Sequence, residues 1–351
     1  MGLCIAFIIC EIVLNIYNPF GFRQKGNKIV LPSNFVMNYK NETIRGLDTI
    51  IKHSKNKLGF RGPNRPKYID KFTSIITVGG STTECYYISD DKEWVSLMAK
   101  NLKNQFNNLW VNNAGLDGHS TFGHQILLDD ELLKLKPNYL LFLIGCNDIE
   151  RKDLKKYDER ILKPTNWKTF LKDNSEFLSL MSNLKRSYNA RMRNCVHHDI
   201  DFESLEFVDS ISNEKLQQII DYHRTFNQGF EFRLKKLVKT SKESNIIPIL
   251  ITQPTLVGKG FDEPTGIDLE KVKYCDEYGG KVYFEILESY NEITRKVAKN
   301  EGIHVIDLAQ QMPKSTENFY DCVHFTNKGA EIVSQIVYED MKEILKLKYK
   351  L

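Results

Sequence analysis

Short apolar runs alternate with amphipathic stretches along much of this chain, and this alternation limits its possible folds more than any other feature. The unbroken run Tyr139–Ile144 is typical of a strand buried on both faces of a parallel sheet. Strands that alternate with helices imply right-handed crossovers and a three-layer α/β/α domain. The predicted strands are Thr73–Val78, Leu109–Asn113, Tyr139–Ile144, Ile246–Thr252 and Gly302–Ile306, and the predicted helices are Asp91–Asn104, Phe122–Leu135, Phe230–Glu243, Val282–Asn300 and a last one that begins at Thr326 or Asn327. Ser89 or Asp90 is the predicted cap of the first of these helices.

Two regions interrupt the alternation. Residues 18–71 are rich in turn residues and show only a short helical run near Leu47–His53, and we interpret Arg61 in this region as a surface charge rather than part of the rim of a site. Residues 150–228 are polar and mostly helical. We interpret the second region as a helical insertion over the strand ends. The sequence therefore predicts an apolar segment at 1–20, an extension at 21–71, and one domain at 72–351 that carries the insertion.

The segment 2–17 is apolar except for Glu11 and Asn15. It is shorter than the roughly 20 residues that cross a bilayer, and it lacks the charged start and the cleavage site of a signal peptide. Two interpretations stay open, a helix or strand packed on the domain and a membrane anchor. The sequence thus allows membrane association through residues 2–17.

Charge and cysteine usage exclude some classes of function. The formal net charge is +4 over 351 residues, without a basic tract interleaved with aromatic residues, so nucleic-acid binding has little support. The seven cysteines form no C-x-x-C pair, which argues against a zinc ribbon and a dense disulfide framework. His197-His198-Asp199 is a weak metal candidate, because adjacent histidines point apart on a helix or a strand.

The serine at position 81 follows the first predicted strand after two glycines. Ligands of open α/β sheets bind at the carboxyl ends of the strands, so this serine is well placed to meet a substrate. Gly79 and Gly80 allow a sharp turn and a close approach of the reacting group. Taken alone, the same residues would also suit a simple turn.

Three more loops at the same predicted edge carry suitable chemistry. A serine nucleophile needs a base and a partner that orients the base, and His324 with Asp321 fits this pair. An acyl-transfer intermediate also needs donors aimed at its oxyanion. The N–H of Ser81, the N–H of Gly118 and the side-chain amide of Asn147 could supply them.

In these blocks the chain resembles the SGNH (GDSL-type) hydrolases. Gly79–Thr83 resembles the nucleophile block, Asn113–Gly118 the glycine block, Gly145–Asp148 the asparagine block, and Asp321–His324 the block of acid and base. The resemblance implies a flavodoxin-like fold, a triad of Ser81, His324 and Asp321, and an oxyanion hole of Ser81, Gly118 and Asn147. Gly115 is the alternative if the register of the glycine block differs. The resemblance also implies that the enzyme needs neither a metal nor an organic cofactor.

The nucleophile block departs from the family pattern. Gly80 stands where the family has an aspartate, and the usual leucine is absent. That aspartate is not the catalytic acid of the family, so the predicted triad is unaffected. The G-x-S-x-G motif of α/β-hydrolases is not met, because Thr83 occupies its last position.

The resemblance implies a serine esterase acting on a small-molecule or glycan ester, with an O-acetyl group on a carbohydrate as the leading expectation. Two alternatives use the same triad, an O-acyltransferase that acetylates a polysaccharide and a lipase- or thioesterase-type acyl hydrolase. A non-catalytic carbohydrate-binding relative is disfavoured because no triad position is missing.

Overall fold

The computed structural model describes residues 2–20, 23–25, 28–150, 167–192, 205–209, 211–273 and 277–349. The strands are β1 (Arg23–Lys25), β2 (Lys28–Val30), β3 (Phe35–Lys40), β4 (Ile50–Lys55), β5 (Thr73–Gly79), β6 (Leu109–Asn113), β7 (Tyr139–Leu143), β8 (Ile247–Ile251) and β9 (Val305–Ile306). The helices are α1 (Gly2–Ile16), α2 (Ser81–Glu84), α3 (Trp94–Lys103), α4 (Thr121–Leu127), α5 (Leu133–Leu135), α6 (Trp167–Asn174), α7 (Glu176–Met192), α8 (Asn213–Glu243), α9 (Gly280–Glu301), α10 (Leu308–Gln311) and α11 (Asn327–Tyr349).

The five strands β5 to β9 form one parallel sheet in the order β6-β5-β7-β8-β9. This is the flavodoxin-like order, in which the first strand lies between the second and the third. Every residue of β5, β6 and β7 is buried. The predicted α/β class and parallel sheet are confirmed. Gly302 lies outside the last strand, because it caps the end of α9 with a positive φ of 62°.

Helices cover both faces of the sheet. Successive residues of β5 point to opposite faces, so Ile75 joins one core cluster and Ile76 the other. The first cluster lies under α3 and α11, and the second lies under α4, α8 and α9. Each cluster fills the space between the sheet and one layer of helices, so the fold has the three layers that the sequence predicts.

Two local predictions about the region before and after β5 are wrong. The run Leu47–His53 is not helical: Ile50–Lys55 is strand β4, paired antiparallel with β3. Alternate β4 residues, namely Ile51, His53 and Lys55, are buried, which is the period of a strand. Helix α3 is capped by Glu93, whose carboxylate accepts the N–H groups of Val95 and Ser96, and not by Ser89 or Asp90.

The region predicted as an insertion is partly described. It contains α6, α7 and the first half of α8, which begins at Asn213 and continues for 31 residues into the predicted helix Phe230–Glu243. The candidate His197-His198-Asp199 and the other residues of 193–204 lie outside the described residues, as do 151–166. The extent of the insertion therefore stays a prediction.

The apolar segment at the start of the chain is helix α1, which contacts α7. The ring of Phe7 lies 5.9 Å from that of Phe177, edge to face. Glu11 accepts the N–H groups of Glu176 and Phe177 and the hydroxyl of Ser175, so it caps α7. Across the described ranges, no helix combines the length and the apolar character needed to cross a membrane.

Candidate active site

Ser81 is the first residue of the one-turn helix α2, directly beyond the end of β5. A β-carbon at position 79 would lie 2.1 Å from Thr83 Oγ1 and 2.4 Å from the carbonyl oxygen of Leu143. Only glycine fits this approach of strand, helix and neighbouring strand. The turn therefore carries the Ser81 side chain to the carboxyl edge of the sheet, between β6 and β7.

Ser81, His324 and Asp321 form one continuous chain of hydrogen bonds. Ser81 Oγ lies 2.7 Å from His324 Nε2, and His324 Nδ1 lies 2.5 Å from Asp321 Oδ2. The second carboxylate oxygen, Oδ1, accepts the backbone N–H groups of Val323 at 2.9 Å and of His324 at 2.7 Å. The three predicted triad residues, 243 positions apart at the extremes, are thus in contact.

The loop that carries the acid and the base closes on itself. Phe319 and Phe325 form an isolated antiparallel bridge, and the N–H of Tyr320 donates to the carbonyl of His324 at 3.0 Å. The ring of Tyr320 stacks on the imidazole, with centroids 5.5 Å apart and planes 10° from parallel. These contacts fix the orientation of the His324 ring.

The carboxyl of Asp321 is buried but ionised. Burial acts to raise its pKa, but the neighbouring imidazole of His324 and the hydrogen bonds from the N–H groups of Val323 and His324 outweigh burial and hold the pKa below its ordinary value. A carboxylate in this position can orient the neutral imidazole and stabilise its cation.

The predicted oxyanion residues follow the neighbouring strands. Gly118 lies in the turn after β6 with a φ of +68°, and Asn147 lies in a 3₁₀ turn after β7. Asn147 Nδ2 donates to the carbonyl of His119 at 2.9 Å, so the amide reaches the residue next to Gly118. A β-carbon on Gly80 would lie 2.3 Å from the same Nδ2. Asn147 therefore lies against the residue that precedes Ser81.

Gly115, the alternative oxyanion glycine, has a structural role. Its N–H donates to Asn113 Oδ1 at 2.8 Å. A β-carbon there would lie 2.3 Å from the backbone nitrogen of Glu84, so the glycine allows the loop after β6 to contact α2. The oxyanion role of Gly118 stays a prediction.

A buried cation that the sequence suggested as a surface charge lies below the nucleophile helix. Arg61 is 1% exposed, so the surface interpretation is wrong. Its guanidinium donates to the carbonyls of Glu84 at 2.7 Å, Cys85 at 2.5 Å and Ile88 at 2.7 Å. Arg61 thus satisfies the carbonyl groups that α2 leaves unpaired at its C-terminal end.

Sequence reasoning missed a second buried cation, Lys55, and its partner Glu84. Lys55 Nζ lies 2.7 Å from Glu84 Oε1, with both side chains almost fully buried. The signal available in the sequence was the carboxylate of Glu84 itself, three residues after Ser81 in a turn of otherwise small side chains. Its partner could not be identified, because β4 was not recognised as a strand.

A small cavity opens beside the nucleophile. Its volume is about 10 Å³ and it is lined by Ser81, Thr82, Cys85, Tyr87, Ile88, Tyr320, His324 and Phe325. A larger groove of about 320 Å³ lies between Arg61–Pro63 and α3, and neither Ser81 nor His324 lines it. The smaller cavity is therefore the one next to the predicted nucleophile and base.

Residues 77–332 match the model of the GDSL-like lipase/acylhydrolase family. The chain belongs to this family. The matched range includes all five predicted site residues, and membership makes the protein an ester hydrolase. No curated protein matches the chain significantly.

Several solved structures align with this chain at low sequence identity. One is a putative GDSL-like lipase from Parabacteroides merdae, with 13% identity over 77% of this chain and 95% of that one, at a TM-score of 0.46. Another is the acetylxylan esterase Axe2 from Geobacillus stearothermophilus, with 14% identity over 76% and 93% at a TM-score of 0.45. A third is the lipase/acylhydrolase from Enterococcus faecalis, with 16% identity over 78% and 96% at a TM-score of 0.43.

Proposed function

We propose that this protein is a serine esterase that removes an O-acetyl group from a carbohydrate. The observation that carries the proposal is the line of contacts from Ser81 Oγ through the imidazole of His324 to the carboxylate of Asp321, at 2.7 and 2.5 Å. Both distances are within the range in which a proton passes between hydrogen-bonded partners.

In the first half of the reaction Ser81 Oγ attacks the acyl carbon while its proton moves to His324 Nε2. The Asp321 carboxylate stabilises the imidazolium that forms. The bond from the acyl carbon to the alcohol oxygen then breaks, and Nε2 returns the proton to that oxygen. The product is an acyl-enzyme on Ser81 and a free alcohol.

In the second half a water molecule repeats the sequence. His324 takes a proton from the water, the hydroxide oxygen bonds to the acyl carbon, and the bond to Ser81 Oγ breaks as the serine regains a proton. In each half the oxyanion would be held by the N–H of Ser81, the N–H of Gly118 and the side-chain amide of Asn147. Losing one such donor typically costs about 10²–10³ in turnover.

The size of the cavity supports acetyl as the acyl group. A cavity of about 10 Å³ has room for about one water-sized or methyl-sized group. A long acyl chain would have to extend out of the mouth of the cavity or displace buried side chains such as Ile88 and Phe325. This argues against the lipase- and thioesterase-type alternative.

The alcohol is proposed to be a sugar because members of the family often cleave acetyl groups from carbohydrates. The half-buried Tyr87 lines the small cavity together with Ser81, and the exposed Asp117 lies in the loop after β6, directly before Gly118. A carboxylate and a phenol are suited to hydrogen bonds with sugar hydroxyls. Transfer of the acetyl group to a second sugar would use the same triad and differs only in the acceptor.

A serine-directed fluorophosphonate tests the nucleophile. We expect mass spectrometry to find the adduct on Ser81, and we expect Ser81→Ala to lower the turnover of p-nitrophenyl acetate by about 10³-fold or more. Unchanged turnover in Ser81→Ala would exclude the proposed mechanism. Acetylated sugars assayed with and without a second glycan then separate hydrolysis, which needs water alone, from transfer.

A further inference from the structure

The carboxylate of Glu84 divides its two oxygens between two different segments of the chain. Oε1 lies 2.7 Å from Lys55 Nζ on β4, and Oε2 accepts the backbone N–H of Asp117 at 2.6 Å. Asp117 directly precedes Gly118. Glu84 therefore links the helix that begins at Ser81 to the loop whose next N–H is the proposed oxyanion donor.

This ion pair is almost completely removed from water. The side chains of Lys55 and Glu84 are 2% and 5% exposed. Burying two charges carries a desolvation cost that their attraction often does not exceed, so a buried ion pair is weak evidence of stabilisation. The pair is therefore better explained by the way it holds α2 and the loop at Asp117 in place than by a gain in stability.

The charged groups nearest to the pair act on the same elements. Arg61 binds the carbonyls at the end of α2, and Glu93 accepts the side-chain amide of Asn113 in β6 at 3.1 Å. The two cations and two carboxylates thus hold α2 and the end of β6 at a fixed distance.

Gly118 has no side chain that could pack against its neighbours. Its φ is +68°, and no atom lies within 4 Å of the position that a β-carbon would occupy. Backbone hydrogen bonds hold the loop on either side of it, from the N–H of Leu116 to Gly79 and from the N–H of His119 to Leu116. Between them, the bond from the Asp117 N–H to Glu84 is the side-chain contact next to the peptide that carries the Gly118 N–H.

We propose that Glu84, held by Lys55, is a positioning residue that fixes the Gly118 N–H toward the oxyanion. The inference rests on the proposed function and extends it, because Lys55 lies before the range 77–332 that matches the family. The hairpin of β3 and β4 then completes the site from outside the matched region.

Two matched double variants separate the hydrogen bond from the charges. Lys55→Met with Glu84→Gln removes both charges but keeps a side-chain oxygen that accepts the Asp117 N–H. Lys55→Met with Glu84→Leu removes the charges and the acceptor. We expect the first pair to keep kcat within about tenfold of the wild type and the second to lower kcat about 10²-fold with KM within about threefold, as for a misplaced donor.

Hydrogen exchange tests the hydrogen bond from the Asp117 N–H to residue 84 without any assay of activity. We expect the Asp117 amide to exchange slowly in the wild type and in the glutamine pair, and to exchange at least about tenfold faster in the leucine pair while β7 stays protected. Equal protection of Asp117 in both pairs would overturn the proposal. So would a glutamine pair that folds but loses kcat about 10²-fold, and this outcome decides the matter if the leucine pair does not fold. If the exchange pattern is as expected but the wild-type protein is inactive and is not labelled at Ser81, the proposed esterase is rejected, while the contact by which Glu84 holds the loop at Asp117 stands.

Discussion

At position 80 the chain has a glycine where the family has an aspartate, and the structure gives a local reason. A β-carbon there would lie 2.3 Å from Asn147 Nδ2 and 3.2 Å from the carbonyl oxygen of His119. The φ of Gly80 is −85°, so a left-handed backbone is not the reason for glycine at this position. The present position of the Asn147 amide is what leaves no room for a side chain there.

We expect Gly80→Ala to displace the Asn147 amide and to lower kcat about 10²-fold, as loss of one oxyanion donor does. The change in thermal stability should be small, since a flexible side chain can move aside. Steady-state kinetics with p-nitrophenyl acetate and thermal unfolding measure both quantities.

The matched variant is Asn147→Ala, which removes the same donor. Because both changes act on one group, the double variant should lose little more than either single one. Wild-type kcat in Gly80→Ala, or fully additive losses, would show that Asn147 does not act as proposed.

At the scale of an element, α2 is a helix that could not form alone. Four residues are far below the length at which an isolated helix is stable in water. It is held from below by Arg61 and from the side by the indole of Trp94, which donates to the carbonyl of Thr82 at 3.1 Å. The chain after α2 continues into Ile88, which lines the cavity beside the nucleophile.

Ile88→Ala should widen the acyl cavity and change selectivity. We expect the ratio of kcat/KM for p-nitrophenyl butyrate over acetate to rise about tenfold, because a few methylene groups decide fit in an apolar pocket. Removing this buried side chain should also destabilise the protein by about 2–4 kcal/mol. Leu237→Ala, in the opposite core cluster, is the matched control: it should destabilise similarly without any change in the ratio. An unchanged ratio in Ile88→Ala would mean that the cavity does not bind the acyl group.

The strands of the parallel sheet and the pairing of Asp321 with His324 could be predicted from the sequence because both have local signals. The approach of Ser81 to His324 is expected from the positions of their loops at one sheet edge and from the family resemblance. The run Tyr139–Ile144 is apolar throughout, and Asp321 and His324 are close in the chain. The burial of Lys55 and Arg61 could not be predicted, because it depends on partners more than twenty residues away. Their sequence context, rich in turn residues, carries no periodic pattern that indicates a core.

At the scale of the whole molecule, two buried histidines link folding to pH. Burial lowers the pKa of His53 to about 2, assisted by the cations Arg61 and Lys55, and burial lowers the pKa of His124 to about 3. In the unfolded chain both would titrate near the ordinary value of about 6.5. Between the folded and unfolded pKa values the unfolded state binds more protons than the folded state. The stabilisation that comes from the two neutral histidines is therefore fully present above about pH 6.5 and is lost as the pH falls.

The free energy of unfolding should therefore fall between pH 7 and pH 5 by about 2–4 kcal/mol, at up to about 1.4 kcal/mol per pH unit for each histidine. Urea unfolding at several pH values measures this slope. His124→Phe removes one of the two groups and should reduce the slope by about half. A slope equal to that of the wild type would show that His124 is not held neutral in the folded protein.

The loop from Phe319 to Phe325 pairs the acid with the base through contacts among its own residues, and the carbonyl of Cys322 ties it to the loop after β8 by accepting the N–H of Leu256 and the hydroxyl of Thr255. Movement of α2 relative to this loop would therefore lengthen the distance between Ser81 Oγ and His324 Nε2, and would leave the pairing of Asp321 with His324 intact. The His324 imidazole would keep its orientation toward Asp321 while Ser81 Oγ moves away from it.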